Sequence, residues 1–328
     1  MTGSGRVFLT GATGFIGSRV ARLLSGRGDK ICCLVRDPAR AAALAELGAE
    51  LVAGDVCDAA ALDRGLAGVD AAIHLAGIYD VGVVDAAELE RVNVDGTRAF
   101  LEATRRAGTP LRVHISTTGA LEPPATGVAD ESAPPLAPPY PAVYHRTKTA
   151  AHRLALEAQA AGDPVVIVCP AFVYGPGDAG PAGRMVRDLV RGRLPGLPAD
   201  PAWFSFVYVD DIAAGIVAAL DRGRPGETYI LSGEHASIND FAERVARAAG
   251  RRPPLLRFPV GVAAGTGGLL DVLSRLTGVR FTMSREGVVS VARRRWLFGH
   301  EKATRELGYA ARGIAEGVAE TVAAARRS

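Results

Sequence analysis

The chain has 328 residues, of which 22% are charged, and its formal net charge is +3. This length allows a large core, and the small, interspersed charge argues against a nucleic-acid-binding protein. The four cysteines show no metal-ligand spacing, so we expect no metal site. The first apolar run begins by Arg6, which leaves no room for a signal peptide, and we therefore expect a cytoplasmic globular protein.

The first predicted strand ends in the sequence T-G-A-T-G-F-I-G at residues 10–17, and an apolar-periodic helix follows it. Gly11 can adopt the backbone conformation of a tight turn, and Gly14 allows a pyrophosphate to approach the backbone. Gly17 allows the helix to pack closely on the strand. The helix start offers free N–H groups and a positive dipole to phosphates. Strand, glycine turn and helix together predict a dinucleotide site and not only an ordinary strand-to-helix turn.

Alternating strand and helix signals fill the first half of the chain. Short apolar runs are typical of strands buried on both faces of a parallel sheet. We therefore predict an α/β fold, a doubly wound parallel sheet (Rossmann fold), with its ligand beyond the carboxyl ends of the strands. The predicted strands are Val7–Thr10, Lys30–Val35, Glu50–Ala53, Ala71–Leu75, Leu111–Ser116 and Pro164–Cys169. The predicted helices lie around Phe15–Leu24, Pro38–Leu47, Asp58–Leu66, Glu88–Ala107 and Tyr140–Ala161.

The second half of the chain has a different character. Residues 171–201 are rich in Gly, Pro and Arg, and the chain is mainly helical from Ser237 onward. Phe204–Val209 is predicted to be a strand that returns to the main sheet, and Thr228–Leu231 to be another strand. We predict a dinucleotide-binding domain over residues 1–175, completed by 204–232. A smaller, mainly helical C-terminal substrate domain would comprise residues 176–203 and 233–328.

The longest uncharged apolar stretch in the last third of the chain is Phe258–Leu270. It is too short to span a bilayer and contains several glycines. We expect no membrane span. Peripheral contact with a membrane through this stretch is the alternative that the sequence leaves open.

Tyr144 and Lys148 lie four residues apart in a predicted helix and therefore share one helix face. A free tyrosine has a pKa of about 10, and a nearby ammonium lowers that pKa because it favours the phenolate. This spacing also occurs by chance on solvated helices, so the pair alone is weak evidence. It gains weight because Ser116, Thr117 and Thr118 end the preceding predicted strand.

Together these features resemble the extended short-chain dehydrogenases/reductases, also called the NAD-dependent epimerase/dehydratase family. The resemblance rests on the order and spacing of several motifs and covers nearly the whole chain. Within that family the chain is most similar to the dihydroflavonol reductase and 3β-hydroxysteroid dehydrogenase branch. The motifs are T-G-A-T-G-F-I-G at 10–17, H-L-A-G at 74–77, R-V-N-V at 91–94, S-T-T at 116–118, Tyr144 with Lys148, P-A-F-V-Y-G-P-G-D at 170–178, F-V-Y-V-D-D at 206–211 and the segment 301–309.

The resemblance implies a role for each matched position. Tyr144 would be the general acid/base, and Lys148 would bind the nicotinamide ribose and lower the pKa of the tyrosine. Thr117 would orient the substrate oxygen with Ser116 beside it, and an offset of one residue within the hydroxyl cluster stays open. The implied cofactor-binding positions are Gly11, Thr13, Gly14, Phe15, Ile16, Gly17, Arg36, Asp55, Val56, Leu75, Ala76, Gly77, Tyr144, Lys148 and Pro170.

The resemblance also implies a homodimer joined through the helices near Glu88 and Tyr140. His74 would pack against the cofactor loop and take no part in proton transfer. Two positions depart from the family pattern, because relatives often carry Arg at the position of Cys169 and Glu at that of His152. We expect neither departure to affect the chemistry.

The residues that end the second predicted strand indicate which cofactor is preferred. An acidic residue there would bind the ribose hydroxyls of NAD and repel a 2′-phosphate. This chain has V-R-D-P at residues 35–38, followed by Arg40. Arg36 comes first and can hold a phosphate in a two-pronged contact, so we predict NADP. Asp37 keeps NAD possible.

Three functions are compatible with these motifs. The first is an oxidoreductase that transfers hydride between nicotinamide and a carbonyl or secondary alcohol of a hydrophobic small molecule. The others are a nucleotide-sugar epimerase with tightly bound cofactor and a non-catalytic NADP-binding sensor. A sensor needs no phenol–ammonium pair, and a dehydratase is disfavoured because no carboxylate follows Thr117.

Apolar segments favour the first function. Trp203–Ser205 carries no charge and lacks the arginine that relatives holding a nucleotide diphosphate often use nearby, and Phe258–Leu270 is also apolar. The epimerase alternative would take its phosphate contacts from the arginines at positions 184, 187, 191 and 193.

Overall fold

A computed structural model describes residues 5–80, 85–194, 196–277, 284–291 and 294–327. The strands are β1 (Arg6–Thr10), β2 (Lys30–Val35), β3 (Glu50–Ala53), β4 (Ala71–His74), β5 (Leu111–Ile115), β6 (Val165–Pro170), β7 (Phe172–Tyr174), β8 (Gly196–Pro198), β9 (Trp203–Tyr208), β10 (Thr228–Leu231), β11 (Glu234–Ser237), β12 (Leu256–Phe258) and β13 (Arg295–Trp296). The α-helices are α1 (Gly17–Gly26), α2 (Ala42–Glu46), α3 (Ala59–Gly65), α4 (Ala86–Glu90), α5 (Gly96–Arg106), α6 (Val143–Ala160), α7 (Pro181–Arg191), α8 (Val209–Arg222), α9 (Ile238–Ala248), α10 (Val260–Thr277), α11 (Arg285–Val291), α12 (Glu301–Leu307) and α13 (Ile314–Ala325).

Seven parallel strands form the main sheet in the order β10-β6-β5-β4-β1-β2-β3. The chain runs outward from β1 in one direction as far as β3 and then in the other direction from β4. The strand order therefore reverses between β1 and β4, where a sheet of this kind opens a crevice for a ligand. The predicted doubly wound parallel sheet is confirmed.

Each face of the sheet packs against its own layer of helices. Phe8 of β1 belongs to the core that α3, α5 and α6 cover, whereas its neighbours Val7 and Leu9 belong to the core under α1 and α8. Cys32 and Cys33 likewise face opposite cores, because successive strand residues point to opposite sides. None of the helices that the structure describes combines the length and the apolar character needed to cross a bilayer.

Two sequence predictions about individual elements need correction. Phe204–Val209 was predicted to return to the main sheet, but β9 lies in a second sheet, between β11 and β13 and paired with β7. Aromatic packing accounts for this placement, because the ring of Phe206 stacks on Phe241 at 4.4 Å and contacts Phe172 at 4.8 Å. The helix predicted from Tyr140 begins at Val143, since Pro141 keeps the residue before it out of the helical region.

An ion pair ties the C-terminal segment to α8. The carboxylate of Asp211 accepts hydrogen bonds from the backbone N–H of Arg312 at 2.9 Å and from its Nε at 3.0 Å. The Asp211 side chain is only 10% exposed, so water cannot replace these bonds. The neighbouring Asp210 instead pairs with Arg19 of α1, and its side chain is 48% exposed.

We predict that Asp211→Asn lowers the free energy of unfolding by about 2 kcal/mol, because one of its buried acceptors becomes a donor that faces the Arg312 guanidinium. Urea denaturation measures this change. Asp210→Asn is the matched control, and its cost should stay below about 1 kcal/mol, as for a half-exposed ion pair. Equal costs for the two substitutions would contradict the assignment of Asp211 as a buried structural anchor.

Candidate active site

The glycine turn after β1 is built as its sequence predicts. Gly11 has a φ of +73°, and a Cβ there would lie 2.6 Å from the backbone of Leu75 and Ala76. A Cβ on Gly17 would lie 2.1 Å from the carbonyl oxygen of Gly11. Only glycine therefore fits at these two positions. Thr13 and Gly14 are exposed.

The start of α1 suits a phosphate group. No side chain caps the first turn of the helix, and the start of a helix presents the positive end of its dipole to an anion. Phe15 and Ile16, which are partly buried, lead into this turn, and the guanidinium of Arg19 lies over the Phe15 ring. The residues present thus fit the pyrophosphate of a dinucleotide.

A buried hydrogen-bond network holds the loop after β4 against this turn. The Thr10 hydroxyl shares a hydrogen bond with Nδ1 of His74 at 2.8 Å and accepts one from the N–H of Ala76 at 3.2 Å. The other ring nitrogen of His74 lies 3.1 Å from the Thr97 hydroxyl. Burial lowers the pKa of His74 to about 3, so the ring is neutral and serves this packing.

Asn93 is a residue whose role the sequence analysis missed. Its side-chain oxygen accepts from the N–H of Ile78 at 2.7 Å, and its amide nitrogen donates to the Ile78 carbonyl and to the Thr147 hydroxyl. It sits in a π-helical turn, Arg91–Asp95, a distortion that is common at functional sites. Asn93 thereby links the loop after β4 to α6. Asn93 is part of the R-V-N-V motif, but the sequence alone does not show which groups its side chain contacts.

The hydroxyl cluster after β5 separates into different environments. Thr117 is partly exposed and lies beside the Tyr144 phenol, and its hydroxyl accepts the N–H of Gly119 at 3.1 Å. The hydroxyl of Ser116 lies 2.9 Å from Nδ1 of His152 and also contacts Cys169, and Thr118 is buried. The structure therefore brings Thr117, and not Ser116, next to the phenol. The two residues that depart from the family pattern lie against Ser116.

Lys148 lies on the same helix face as Tyr144, and its ammonium points toward the carboxyl end of β5. Its Nζ donates to the carbonyl of Ile115 at 3.0 Å, and a Cβ on Gly77 would lie 3.9 Å from it. Because Gly77 follows the segment that contacts Gly11, the glycine turn and the Tyr144–Lys148 pair belong to one site.

The sequence predicts that Lys148 lowers the pKa of Tyr144, but in the structure the pKa of Tyr144 shifts in the opposite direction. Burial raises the pKa of Tyr144 to about 12, and the nearby Thr117 hydroxyl acts against that shift. Burial also lowers the pKa of Lys148 to about 8. The ammonium is engaged by the Ile115 carbonyl, so the loss of hydration governs both groups. The Tyr144 phenol is consequently protonated at neutral pH.

The carboxyl end of β2 presents arginine toward solvent. Arg36 and Arg40 are exposed. The carboxylate of Asp37 accepts the N–H of Ala39 at 3.0 Å and caps the short 3₁₀ turn Pro38–Arg40. The Asp37 carboxylate thus stabilises the turn. In a fold of this kind, a side chain at the end of the second strand, such as Arg36, contacts the adenine ribose of a bound dinucleotide.

The remaining predicted cofactor positions surround this crevice. Asp55 accepts hydrogen bonds from Arg91 at 2.6 Å and from the N–H of Cys57, and the Arg91 contact lowers the pKa of that carboxyl. Val56 is buried, and a Cβ on Gly96 would lie 2.6 Å from it. The last residue of β6, Pro170, is also buried. Leu75 and Ala76 are partly buried beside the glycine turn.

The rings of Tyr79 and His145 lie against the Tyr144 ring. The ring of Tyr79, 46% exposed, meets the Tyr144 ring edge-on at 4.8 Å. The ring of His145 stacks on Trp296 at 5.4 Å. At the start of α6, the N–H of Val143 donates to Oε1 of Glu286 in α11 at 2.7 Å. The last third of the chain therefore forms one wall of the site.

Comparison with known proteins agrees with this geometry. The profile of the NAD dependent epimerase/dehydratase family matches residues 7–232. The chain is 35% identical over 272 residues to sterol demethylase protein B of Methylococcus capsulatus, a match that covers 81% of both chains. It is 31% identical to the 4-hydroxy-2-methyl-3-oxo-4-farnesyl-3,4-dihydroquinoline-1-oxide ketoreductase of Stigmatella aurantiaca, over 94% of this chain and 92% of that one.

A solved structure shows the same fold. The crystal structure of gox2253 superposes with a TM-score of 0.84 and 33% sequence identity, and the match covers 99% of this chain and 98% of that chain. The extent of the family match and the sequence identity to these relatives assign the chain to one family. The chain belongs to the NAD dependent epimerase/dehydratase family, among the extended short-chain dehydrogenases/reductases.

Proposed function

We propose that this protein is an NADP-dependent oxidoreductase that transfers hydride between nicotinamide and a carbonyl or secondary alcohol of a hydrophobic small molecule. The proposal rests on the protonation state and the surroundings of the Tyr144 phenol. Its pKa is raised to about 12, it lies beside Thr117, and its ring meets the Tyr79 ring edge-on at 4.8 Å. A protonated phenol in such surroundings suits the reduction of a ketone.

In this proposal each residue of the cluster has a separate task. Tyr144 donates its proton to the substrate oxygen, and Thr117 orients that oxygen through its hydroxyl. Lys148 binds the nicotinamide ribose and keeps a positive charge near the phenol while the proton leaves. The nicotinamide supplies the hydride. Gly11, Gly14 and the first turn of α1 hold the pyrophosphate.

The cofactor preference follows from the carboxyl end of β2. Arg36 is exposed there, and the Asp37 carboxylate already caps the following turn. A guanidinium can hold a 2′-phosphate in two parallel hydrogen bonds, whereas the ribose hydroxyls of NAD would need a free carboxylate. These features support NADP over NAD.

The substrate class follows from the walls of the site and from the arginines. The epimerase alternative needs cations for a diphosphate, but Arg184 donates to Asp80 and Arg187 donates to the carbonyl of Asp178. Arg191 and Arg193 are exposed at the end of α7. The relative from Stigmatella aurantiaca is described as a ketoreductase of a farnesylated quinoline, which agrees with an apolar substrate. A cytoplasmic location and a homodimer through the helices near Glu88 and Tyr140, which correspond to α4–α5 and α6, stay predictions.

We predict that Tyr144→Phe lowers kcat for ketone reduction by about 10²–10⁴-fold, because the phenyl ring has no proton to donate. NADPH affinity should stay within about twofold, since the pyrophosphate contacts are unchanged. A panel of hydrophobic ketones and nucleotide sugars, followed by NADPH absorbance, measures the activity. Tyr140→Phe is the control and should stay active. Turnover of a nucleotide sugar without net cofactor change would instead establish the epimerase.

The hydroxyl cluster gives a second prediction. Thr117→Val should lower kcat/KM by about 10²-fold, because the substrate oxygen loses a hydrogen-bond donor. Ser116→Ala should leave kcat/KM within about threefold and lower the free energy of unfolding by about 1 kcal/mol, because it removes the bond to His152. Steady-state kinetics and urea denaturation separate these effects. The reverse pattern would move the catalytic hydroxyl to Ser116.

Cofactor choice gives a third prediction. Arg36→Ala should raise the Kd of NADPH at least about tenfold and leave the Kd of NADH unchanged, since only NADPH has the 2′-phosphate. Fluorescence titration with both nucleotides measures this. Asp37→Ala is the paired variant, and it should not weaken NADH. If Asp37→Ala weakens NADH and Arg36→Ala affects neither nucleotide, the preference is for NAD.

A further inference from the structure

We propose that α10 and the loop before it form a membrane-docking surface that seats this protein on a bilayer containing anionic lipids. We call this surface, comprising residues 255–277 and the start of α11 at Arg285, the apolar hairpin. The proposal concerns attachment to one face of the bilayer and involves no spanning segment.

The apolar hairpin exposes large aliphatic side chains along one helix face. Leu269 is 70% exposed and Leu276 is 79% exposed, and Leu255 in the preceding loop is 89% exposed. Val262, Leu269, Leu273 and Leu276 are spaced as residues of a single helix face, over about 21 Å of helix. A continuous apolar stripe of this length on a surface marks an interaction site.

The opposite face of α10 already has a partner. Ala263 is buried, and a Cβ on Gly267 would lie 2.6 Å from the backbone of Ser284 and Arg285. This close approach fixes α11 against the glycine side of α10. The aliphatic stripe is therefore on the outer side of the pair, exposed with respect to every residue that the structure describes.

The sequence that contains the stripe is rich in arginine. Residues 251–295 contain nine arginines and two acidic residues, a net charge of +7 in a chain whose total is +3. Arg252 precedes α10 and is exposed, and Arg285 is exposed at the start of α11, where its Cδ would lie 3.8 Å from a Cβ on Gly268. Arg251 and Arg257 are also exposed, and they contact the Val190 carbonyl and the Glu243 carboxylate. An exposed aliphatic stripe in an arginine-rich segment matches the interface of an anionic bilayer, where apolar groups enter the acyl boundary and cations meet headgroups.

Charge also argues against a second copy of this chain as the occupant. A twofold interface joins the same patch on both subunits, so arginines of one copy would face arginines of the other. Like charges brought together across an interface oppose association. A bilayer supplies opposite charge to the same patch.

The apolar hairpin is continuous with the candidate active site. Glu286 of α11 accepts the N–H of Val143, the residue before Tyr144. A docked protein would thus hold its catalytic helix next to the bilayer, where a hydrophobic ketone or alcohol partitions. This delivery route rests on the proposed function, whereas docking itself does not.

Vesicle flotation of the full-length protein tests the proposal. We expect binding to phosphatidylcholine vesicles that contain phosphatidylglycerol, with at least tenfold weaker binding to phosphatidylcholine alone and weakening by added salt. The double variant Leu269→Glu/Leu276→Glu should reduce binding at least tenfold. Arg251→Gln/Arg252→Gln should reduce binding to the anionic vesicles. Leu23→Glu, at a 43% exposed position on α1, is the control and should bind as the parent does.

Circular dichroism melting and NADPH titration of each variant confirm that the fold and the nucleotide site persist, so loss of docking is distinguishable from loss of function. Absent flotation of the parent overturns the proposal, as does equal flotation of the Glu double variant. Gel filtration that shows a dimer becoming a monomer in that variant assigns the stripe to a second copy. Binding to polyglutamate but not to vesicles assigns it to an acidic protein.

Discussion

The close approach of Gly11 to the backbone of Leu75 and Ala76 is the constraint on which the site depends. It brings the loops that follow β1 and β4 together at the place where the strand order reverses, and a side chain at Gly11 would collide with that backbone. The buried hydrogen bonds among Thr10, His74 and Thr97 stabilise this contact between the two loops. The same loop continues to Gly77 beside Lys148. The contact between Gly11 and this loop therefore also positions the glycine turn relative to α6, which carries Tyr144 and Lys148.

Burial governs the chemistry of the Tyr144–Lys148 pair more than their mutual charge. Both groups lose hydration, which favours the neutral phenol and weakens the ammonium. Lys148 relieves part of its loss by donating to the Ile115 carbonyl. The Tyr144 phenol therefore keeps its proton at neutral pH, as the proposed ketone reduction requires. In the proposed reaction Thr117 orients the acceptor, because the Ser116 hydroxyl is engaged by His152.

Two surfaces of different chemistry lie on either side of α6. On one side the crevice of the main sheet offers N–H groups and arginine to a charged nucleotide. On the other, Glu286 and Trp296 contact the start of α6, and α10, which packs on α11, exposes its aliphatic stripe. This separation of polar and apolar surroundings suits an enzyme that brings a water-soluble cofactor to a hydrophobic substrate.

The amino-acid sequence was sufficient for the elements whose physics is local. Apolar runs gave the six strands of the first half, the glycine spacing gave the turn after β1, and a four-residue spacing placed Tyr144 and Lys148 on one face. It could not separate Ser116 from Thr117, because both follow the same strand and only His152, distant in the chain, distinguishes them. It also misplaced β9 and left Asn93 without a role. Those outcomes depend on aromatic rings and hydrogen-bond partners that meet only when remote segments pack, and no local pattern records which segments those are.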